Sequence, residues 1–420
     1  MDKIVIRGGN RLQGEVSVSG AKNSVLPILS ATLLTPEKCI IENVPNLRDV
    51  RTMIKILEHL GVKLNFESGR LEVESGEFSN VRAPYDLVCT MRASICVLGS
   101  LLARKGKAEV SLPGGCVIGT RPIDLHLKGL KALGADVEIE HGYIKATTRK
   151  LRGCRLYLGG PFGSSVLATA NVILAATLAE GETVIESAAC EPEIVDLVEF
   201  INKMGGKIEG AGTPIIKIKG VNQLKGANHR VIPDRIEAGT YLVAGAITTG
   251  DVVVKGARCD HLGAVIDRLK QSGAALEILN EGIRVIGSDK ILPLEITTLP
   301  YPGFPTDMQA QFMSYLCLTD GISIITEKVF PERFMHVGEL NRMGAEITLE
   351  GSTAVIKGVD KLSGAEVMAS DLRASAALIL AGLVAEGQTV VSRVYHLDRG
   401  YENLVAKLKL LGAEIERISN

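Results

Sequence analysis

The stretch LKALGADVEIE, residues 130–140, reads as the last turn of a helix, a glycine, and then a strand of alternating polarity. Glycine directly after a helix is the usual left-handed cap, and period-two alternation marks a half-buried strand. The same signature recurs as LEHLGVKLNF, INKMGGKIEG, LKQSGAALEIL, LNRMGAEITLE and LKLLGAEIERI. Its glycines are Gly61, Gly134, Gly205, Gly273, Gly344 and Gly412, spaced by 73, 71, 68, 71 and 68 residues. Six units of about seventy residues therefore account for the 420-residue chain.

A second element keeps step with the first. NSVLPILSATLLT, MRASICVLGSLLARKG, SSVLATANVILAATLAEG, IEAGTYLVAGAITTG, DMQAQFMSYLCLTDG and LRASAALILAGLVAEG are small or apolar nearly all round. A helix with no polar face is buried on every side. Each unit thus predicts one buried helix, one amphipathic outer helix and several short strands. Single cores stop growing at ~250–300 residues, so the chain divides into two similar α/β domains of three units each. GANHRVIPDR, at 226–235, is the candidate crossing between them.

Bulk properties narrow the function. Lys+Arg 47 against Asp+Glu 48 leaves a net charge of −1, with no global attraction to nucleic acid or acidic membranes. Tryptophan is absent and aromatics are 4%, poor material for stacking bases. The charge-free run 156–179 is interrupted by Gly159, Gly160, Pro161 and Gly163, which predicts a buried helix and no membrane span. No apolar stretch follows Lys3, so no signal peptide is expected. None of the eight cysteines is paired as CxxC, and neither HExxH nor a P-loop occurs. This predicts reduced thiols in a cytoplasmic protein, with no metal site.

The buried helices begin with charged or hydroxyl residues: Lys22 and Asn23, Arg92, Ser164 and Ser165, Asp234 and Glu237, Thr306 and Asp307, Asp371 and Arg373. Ser165 and Asp371 read as ordinary caps. A lysine or arginine at a helix N-terminus opposes the dipole, and a bound anion there would resolve the conflict. Two domains presenting these ends to one another would gather Lys22, Arg92, Arg373 and Asp307. One cysteine stands apart: in SLPGGCVIGTRP (111–122), Cys116 sits in a glycine-hinged loop beside Arg121. Inert burial is the expectation for the other seven.

SGAKNSVLPIL, LPGGCVIGTRPIDLHL, EPEIVDL, PDRIEAGT, PTDMQAQ, RFMHVGEL, DLRASAAL and HLDRGYE resemble the UDP-N-acetylglucosamine 1-carboxyvinyltransferase family of enolpyruvyl transferases, from end to end. The resemblance implies two inside-out α/β barrel domains, each of three repeats with buried parallel helices. Residues 1–20 and 231–420 would form one domain, and 21–230, with the cysteine loop 112–122, the other. A more distant resemblance is to 5-enolpyruvylshikimate-3-phosphate synthase. That enzyme opens its phosphate site with a stretch resembling LPGDKS, where this chain has VSGAKNS, and it lacks the cysteine loop.

The implied reaction transfers enolpyruvyl from phosphoenolpyruvate to the sugar 3′-hydroxyl by addition and elimination, releasing phosphate in the first committed step of peptidoglycan synthesis. It needs a proton donor over C3, a base and cations, but no cofactor. The resemblance implies Cys116 as donor and as the thiol alkylated by fosfomycin, and Asp307 as base or proton relay, with Lys22 and Arg399 also catalytic. Phosphoenolpyruvate would be held by Lys22, Asn23, Arg92, Arg121, Arg373 and Arg399. UDP-N-acetylglucosamine would contact Asn23, Arg92, Arg121, Pro122, Ile123, Asp124, Leu125, Ser165, Val166, Asp307 and Val329, the last through its backbone. Glu191, Asp234, Arg235 and Glu237 read as structural or interdomain charges, and Arg333 as a neighbour of Val329. The chain departs from the family at PFGSSVLAT: aligning TLAEG puts Gly163 where many members carry a lysine. Small-molecule substrates are the only partners expected, with no nucleic acid, membrane or obligate protein partner. A catalytically silent paralogue is the contrasting reading; it would have lost Cys116, Asp307 or Arg399, and all three are present.

Overall fold

All six glycines of the recurring signature adopt left-handed backbone conformations, with φ of 100° at Gly61, 90° at Gly134, 100° at Gly205 and Gly273, 91° at Gly344 and 95° at Gly412. An L side chain is strained there, so only glycine ends each outer helix without cost. The structure, a computed structural model, describes residues 2–114 and 123–419. The outer helices are Arg48–Leu60, Asp124–Ala132, Pro192–Lys203, Gly263–Gln271, Val337–Arg342 and Leu404–Leu410. Arg48–Leu60 shows the pattern clearly: Val50, Met53, Ile56, Leu57 and Leu60 are buried along one stripe.

The buried helices are Lys22–Ala31, Val97–Lys105 with its 3-10 lead-in Arg92–Cys96, Val166–Ala176, Arg235–Ile247, Gln309–Leu316 and Leu372–Val384. In the last, every residue from Leu372 to Leu383 is buried. In the fourth, the same holds from Ile236 to Ile247. Such helices exist only because sheets and other helices cover every side.

Among the described residues those sheets are six, each four-stranded, and each repeats one topology. The first strand runs parallel to the second, while the second, third and fourth run antiparallel in turn. Strands Glu295–Thr298, Ile322–Glu327, Thr353–Lys357 and Glu346–Glu350 form one example. In Ile322–Glu327 burial alternates, putting Ser323, Ile325 and Glu327 inward. Pairing among the described residues ends at the edges of each sheet, so the walls around the buried helices are separate four-stranded sheets. Their last strands are charge-rich, as in KLNFE, DVEIE, EITLE and EIERI, a composition that blunts strand addition at an edge.

The chain divides into two compact units. One comprises residues up to Ser19 together with Pro233–Asn420; the other runs from Gly20 to Ile232. Among the described residues, each unit has three sheets, three buried helices and a hydrophobic core of its own. Strand Lys3–Arg7 lies between Gln388–Ser392 and Glu414–Ile418, and strand Gln13–Ser17 pairs with Asp251–Lys255. In the other unit Asn228–Arg230 returns to pair with Lys38–Glu42. Each unit is therefore closed by a strand distant in sequence.

Cysteine burial is uneven. Cys39, Cys96 and Cys317 are buried, and burial pushes their thiols up to about 11, 12 and 12. Cys89, Cys154 and Cys190 are half-buried, and Cys259 is exposed, correcting the expectation of inert burial for all seven. Cys259 lies in a surface turn, Cys259–His261, beside the Arg258–Asp260 ion pair.

Candidate active site

Asp307 lies in the 3-10 turn Thr306–Met308 that leads into the buried helix Gln309–Leu316. Its carboxylate accepts from Arg333 Nη1 at 2.9 Å through Oδ1 and from Arg373 Nη2 at 2.8 Å through Oδ2. Both arginine side chains are 4% exposed, whereas that of Asp307 is 27% exposed. The carboxylate is thus the solvent-reaching tip of a buried charge cluster. Burial works against the charge of Arg373, and Asp307, Tyr401 and Asp234 together more than offset it, so its pKa is raised. Arg373 also lies 5.6 Å from the Tyr401 ring centre. Its guanidinium faces Asp307, which casts it as a holder of that carboxylate.

Asp371 caps the helix Leu372–Val384 as expected, accepting from Arg373 N at 2.8 Å and Ala374 N at 3.2 Å. His336 is buried beside this cluster. Burial, together with Arg333, lowers its pKa to about 4 against the opposing pull of Asp371, so the ring is neutral. Val329 is half-buried, and its N–H donates to Glu327 Oε1 at 2.9 Å. Arg399 is half-buried at the end of the 3-10 segment Val394–Arg399 in the same unit. Asp234 caps the fourth buried helix. Glu237 receives Lys407 at 2.6 Å and Ser19 N at 2.8 Å, although burial still raises its pKa. Arg235 packs 5.5 Å from the Tyr301 ring centre.

In the other unit, Lys22 opens the helix Lys22–Ala31. A cation at that end calls for an anion, and the chain supplies Asp49, whose Oδ2 lies 3.4 Å from Lys22 Nζ. Asn23, the next residue, is half-buried. Arg92 begins the 3-10 lead-in to the second buried helix. Its charge adds to burial in pulling the His126 pKa down to about 3. Asn171 settles the His126 tautomer. Its Oδ1 accepts from Gly99 N at 2.6 Å, so its amide nitrogen faces Ile95 O and His126 Nδ1, both at 3.1 Å. Nδ1 is then an acceptor and Nε2 carries the proton.

Ser165 caps the helix Val166–Ala176 through Ala168 N, and Val166 is its half-buried first residue. Ile123 and Leu125 pack on the core, while Asp124, exposed, opens the helix Asp124–Ala132. These two helices touch because residue 129 is glycine: a Cβ there would stand 2.2 Å from Val172 Cγ2. Gly129→Ala is expected to cost about 1–3 kcal/mol by overpacking. Val172→Ala in the same chain should restore most of it in thermal denaturation. Ile123–Leu125 and Ser165–Val166 thus lie at the N-terminal ends of two helices that touch. Gly163 sits at φ +91°, in a turn where Gly160 and Gly163 exchange backbone hydrogen bonds at 2.9 and 3.1 Å. Glu191 precedes Pro192 at the N-cap of the outer helix Pro192–Lys203 and is buried. Cys116, Arg121 and Pro122 lie outside the described residues.

The model for EPSP synthase (3-phosphoshikimate 1-carboxyvinyltransferase) matches residues 6–408. The chain belongs to the EPSP synthase family. Among its relatives, a UDP-N-acetylglucosamine 1-carboxyvinyltransferase from Desulfosudis oleivorans is 54% identical over 419 residues, covering all of both chains. One of the same name from Methylacidiphilum infernorum is 55% identical over 418 residues, all of this chain and 99% of its own. In solved structures, the enolpyruvyl transferase NikO from Streptomyces tendae matches with a TM-score of 0.90 at 24% identity, covering 100% of this chain and 99% of its own. EPSP synthase from Acinetobacter baumannii matches at 0.78 and 19%, covering all of both chains. These two establish the fold.

Asp49 and Glu327 are buried carboxylates that the sequence reading passed over. Asp49 looked like an ordinary first-turn acid of an amphipathic helix, and nothing local points to Lys22. Glu327 carried a readable signal: in ISIITE it falls on the inward register with Ser323 and Ile325. Among the described residues, no helix is long and apolar enough to cross a membrane.

Proposed function

We infer that this chain transfers the enolpyruvyl group of phosphoenolpyruvate to the 3′-hydroxyl of UDP-N-acetylglucosamine, releasing phosphate, in the first committed step of peptidoglycan synthesis. Full-length identity of 54–55% to enzymes of that name carries this reading. The sugar oxygen bonds to C2 while C3 gains a proton, giving a tetrahedral ketal; loss of a C3 proton then expels phosphate. Asp307 takes the 3′-hydroxyl proton. Its partial exposure, against the burial of Arg333 and Arg373, supports this role. Cys116 delivers the proton to C3, and its thiol is the group that fosfomycin alkylates. Lys22, Asn23, Arg92, Arg121 and Arg399 hold the phosphate and carboxylate of phosphoenolpyruvate. Arg373 contributes by holding Asp307. Asn23, Arg92, Arg121–Leu125, Ser165, Val166, Asp307 and Val329 contact the sugar nucleotide. Gly163 brings no side chain to the diphosphate. The enzyme works in the cytoplasm and supports cell shape and division.

Inorganic phosphate released from phosphoenolpyruvate, measured with and without UDP-N-acetylglucosamine, tests the reading. Release is expected only with the sugar nucleotide, and release that ignores it overturns the assignment. In the same assay Cys116→Asp keeps part of the turnover and loses fosfomycin inhibition, since a carboxylic acid donates a proton but is not alkylated as a thiol is. Full inhibition of that variant would reassign the alkylated residue.

A further inference from the structure

Glu327 is the last residue of strand Ile322–Glu327 and is 0% exposed. A buried carboxylate persists only where its oxygens are satisfied, and these receive four hydrogen bonds. Oε1 accepts from Thr298 Oγ1 at 2.6 Å and from the backbone N–H groups of Val329 and Phe330 at 2.9 Å each. Oε2 accepts from Thr306 Oγ1 at 2.9 Å. None of the four partners is charged, and all four are donors. A carboxylate accepts from all four; a glutamine would turn an NH2 toward a threonine hydroxyl, which would then have to accept and would release its proton from this shell.

The bond to Thr306 orders everything beyond it. Because the Thr306 hydroxyl proton is committed to Glu327, its oxygen is left to accept from Arg333 Nη1 at 3.0 Å. The same nitrogen donates to Asp307 Oδ1 at 2.9 Å. Donor and acceptor roles are thus determined from Glu327 through Thr306 and Arg333 to Asp307. The Oε1 bonds meanwhile pin the start of the segment Val329–Arg333, which delivers that arginine. One carboxylate holds both pieces of chain that meet at Asp307.

We propose that Glu327 is a positioning residue for the transfer reaction: acting through Thr306 and Arg333, it orients the Asp307 carboxylate toward the acceptor hydroxyl. This rests on the assignment of Asp307 as the base. Displacing a base by a fraction of an ångström to 1 Å costs up to about 100-fold in rate while leaving substrate contacts in place. The expected signature is a fall in kcat with little change in KM.

The test uses the full chain and sugar-dependent phosphate release, with kcat expressed per folded enzyme. Wild-type turnover that depends on the sugar nucleotide is the reference, and its absence would sink the functional reading itself. Against that reference, Glu327→Gln and Thr306→Val are each expected to lower kcat about 10- to 100-fold, with KM for both substrates within about threefold. Thr306→Ser, which keeps the hydroxyl, should restore turnover. The double variant Glu327→Gln with Thr306→Val should be no slower than the worse single variant, because both cut one relay. A lowered melting temperature with kcat within about twofold of wild type would reduce Glu327 to a structural role and overturn the proposal, as would additive losses in the double variant. If Glu327→Gln does not fold, Thr306→Val decides alone, since it leaves three of the four bonds to Glu327 intact.

Discussion

Replacing Asp307 with alanine is expected to lower kcat by about 10²- to 10⁴-fold, the range supplied by a positioned general base. A second effect accompanies the first. Arg333 and Arg373, each 4% exposed, are left facing one another without the carboxylate that accepts from both. Breaking a buried pair costs about 3–5 kcal/mol, and the partial exposure of Asp307 puts the expected loss at the lower end. For a unit of this size, about 3 kcal/mol lowers the melting temperature by roughly 6–12 °C. Sugar-nucleotide binding, measured by calorimetry below that temperature, should be largely retained. Turnover equal to wild type would move the base elsewhere. Lost turnover together with lost sugar-nucleotide binding would make Asp307 a binding group.

Deleting the chain through Arg7 should unfold one unit and spare the other. Strand Lys3–Arg7 pairs antiparallel on both sides, with Gln388–Ser392 and with Glu414–Ile418. Ile4 and Ile6 are wholly buried, and losing each removes about 1.5–3 kcal/mol of apolar burial. Every lost ladder bond adds about 0.5–1.5 kcal/mol. Together these approach the ~5–15 kcal/mol that holds a whole domain. Hydrogen exchange is the direct readout. Amides of Gln388–Ser392 and Glu414–Ile418 should lose protection, while Val184–Glu186 and Leu71–Val73 keep theirs within the separate core of the other unit. Protection retained in the two flanking strands would show that the sheet survives without its third member.

Much of the architecture was legible because its signals are local. A glycine after an amphipathic turn has one economical conformation, and all six adopt it. Segments without a polar face had to be interior, and the six expected helices are. Caps at Ser165 and Asp371 form within three residues of the capping side chain and could be read directly. The discontinuous sheets were less accessible. Whether neighbouring four-stranded walls join depends on how their edges meet, which no single repeat encodes.

The candidate site divides along the same line. Asp307, Lys22, Arg92 and Arg373 could be picked out as charged residues at the starts of buried helices. What each one faces could not. Lys22 meets Asp49 from another helix, Asp307 is shared by arginines 26 and 66 positions along the chain, and Glu327 reaches Thr306 across 21. By itself the sequence determined the sixfold repeat, the caps and the inventory of reactive side chains, because backbone conformation and helical or strand periodicity act over a few residues. Tertiary structure alone decided which charges neutralise one another and which carboxylate is left reaching solvent, because electrostatic pairing depends on distance in space and on burial, and chain separation carries neither.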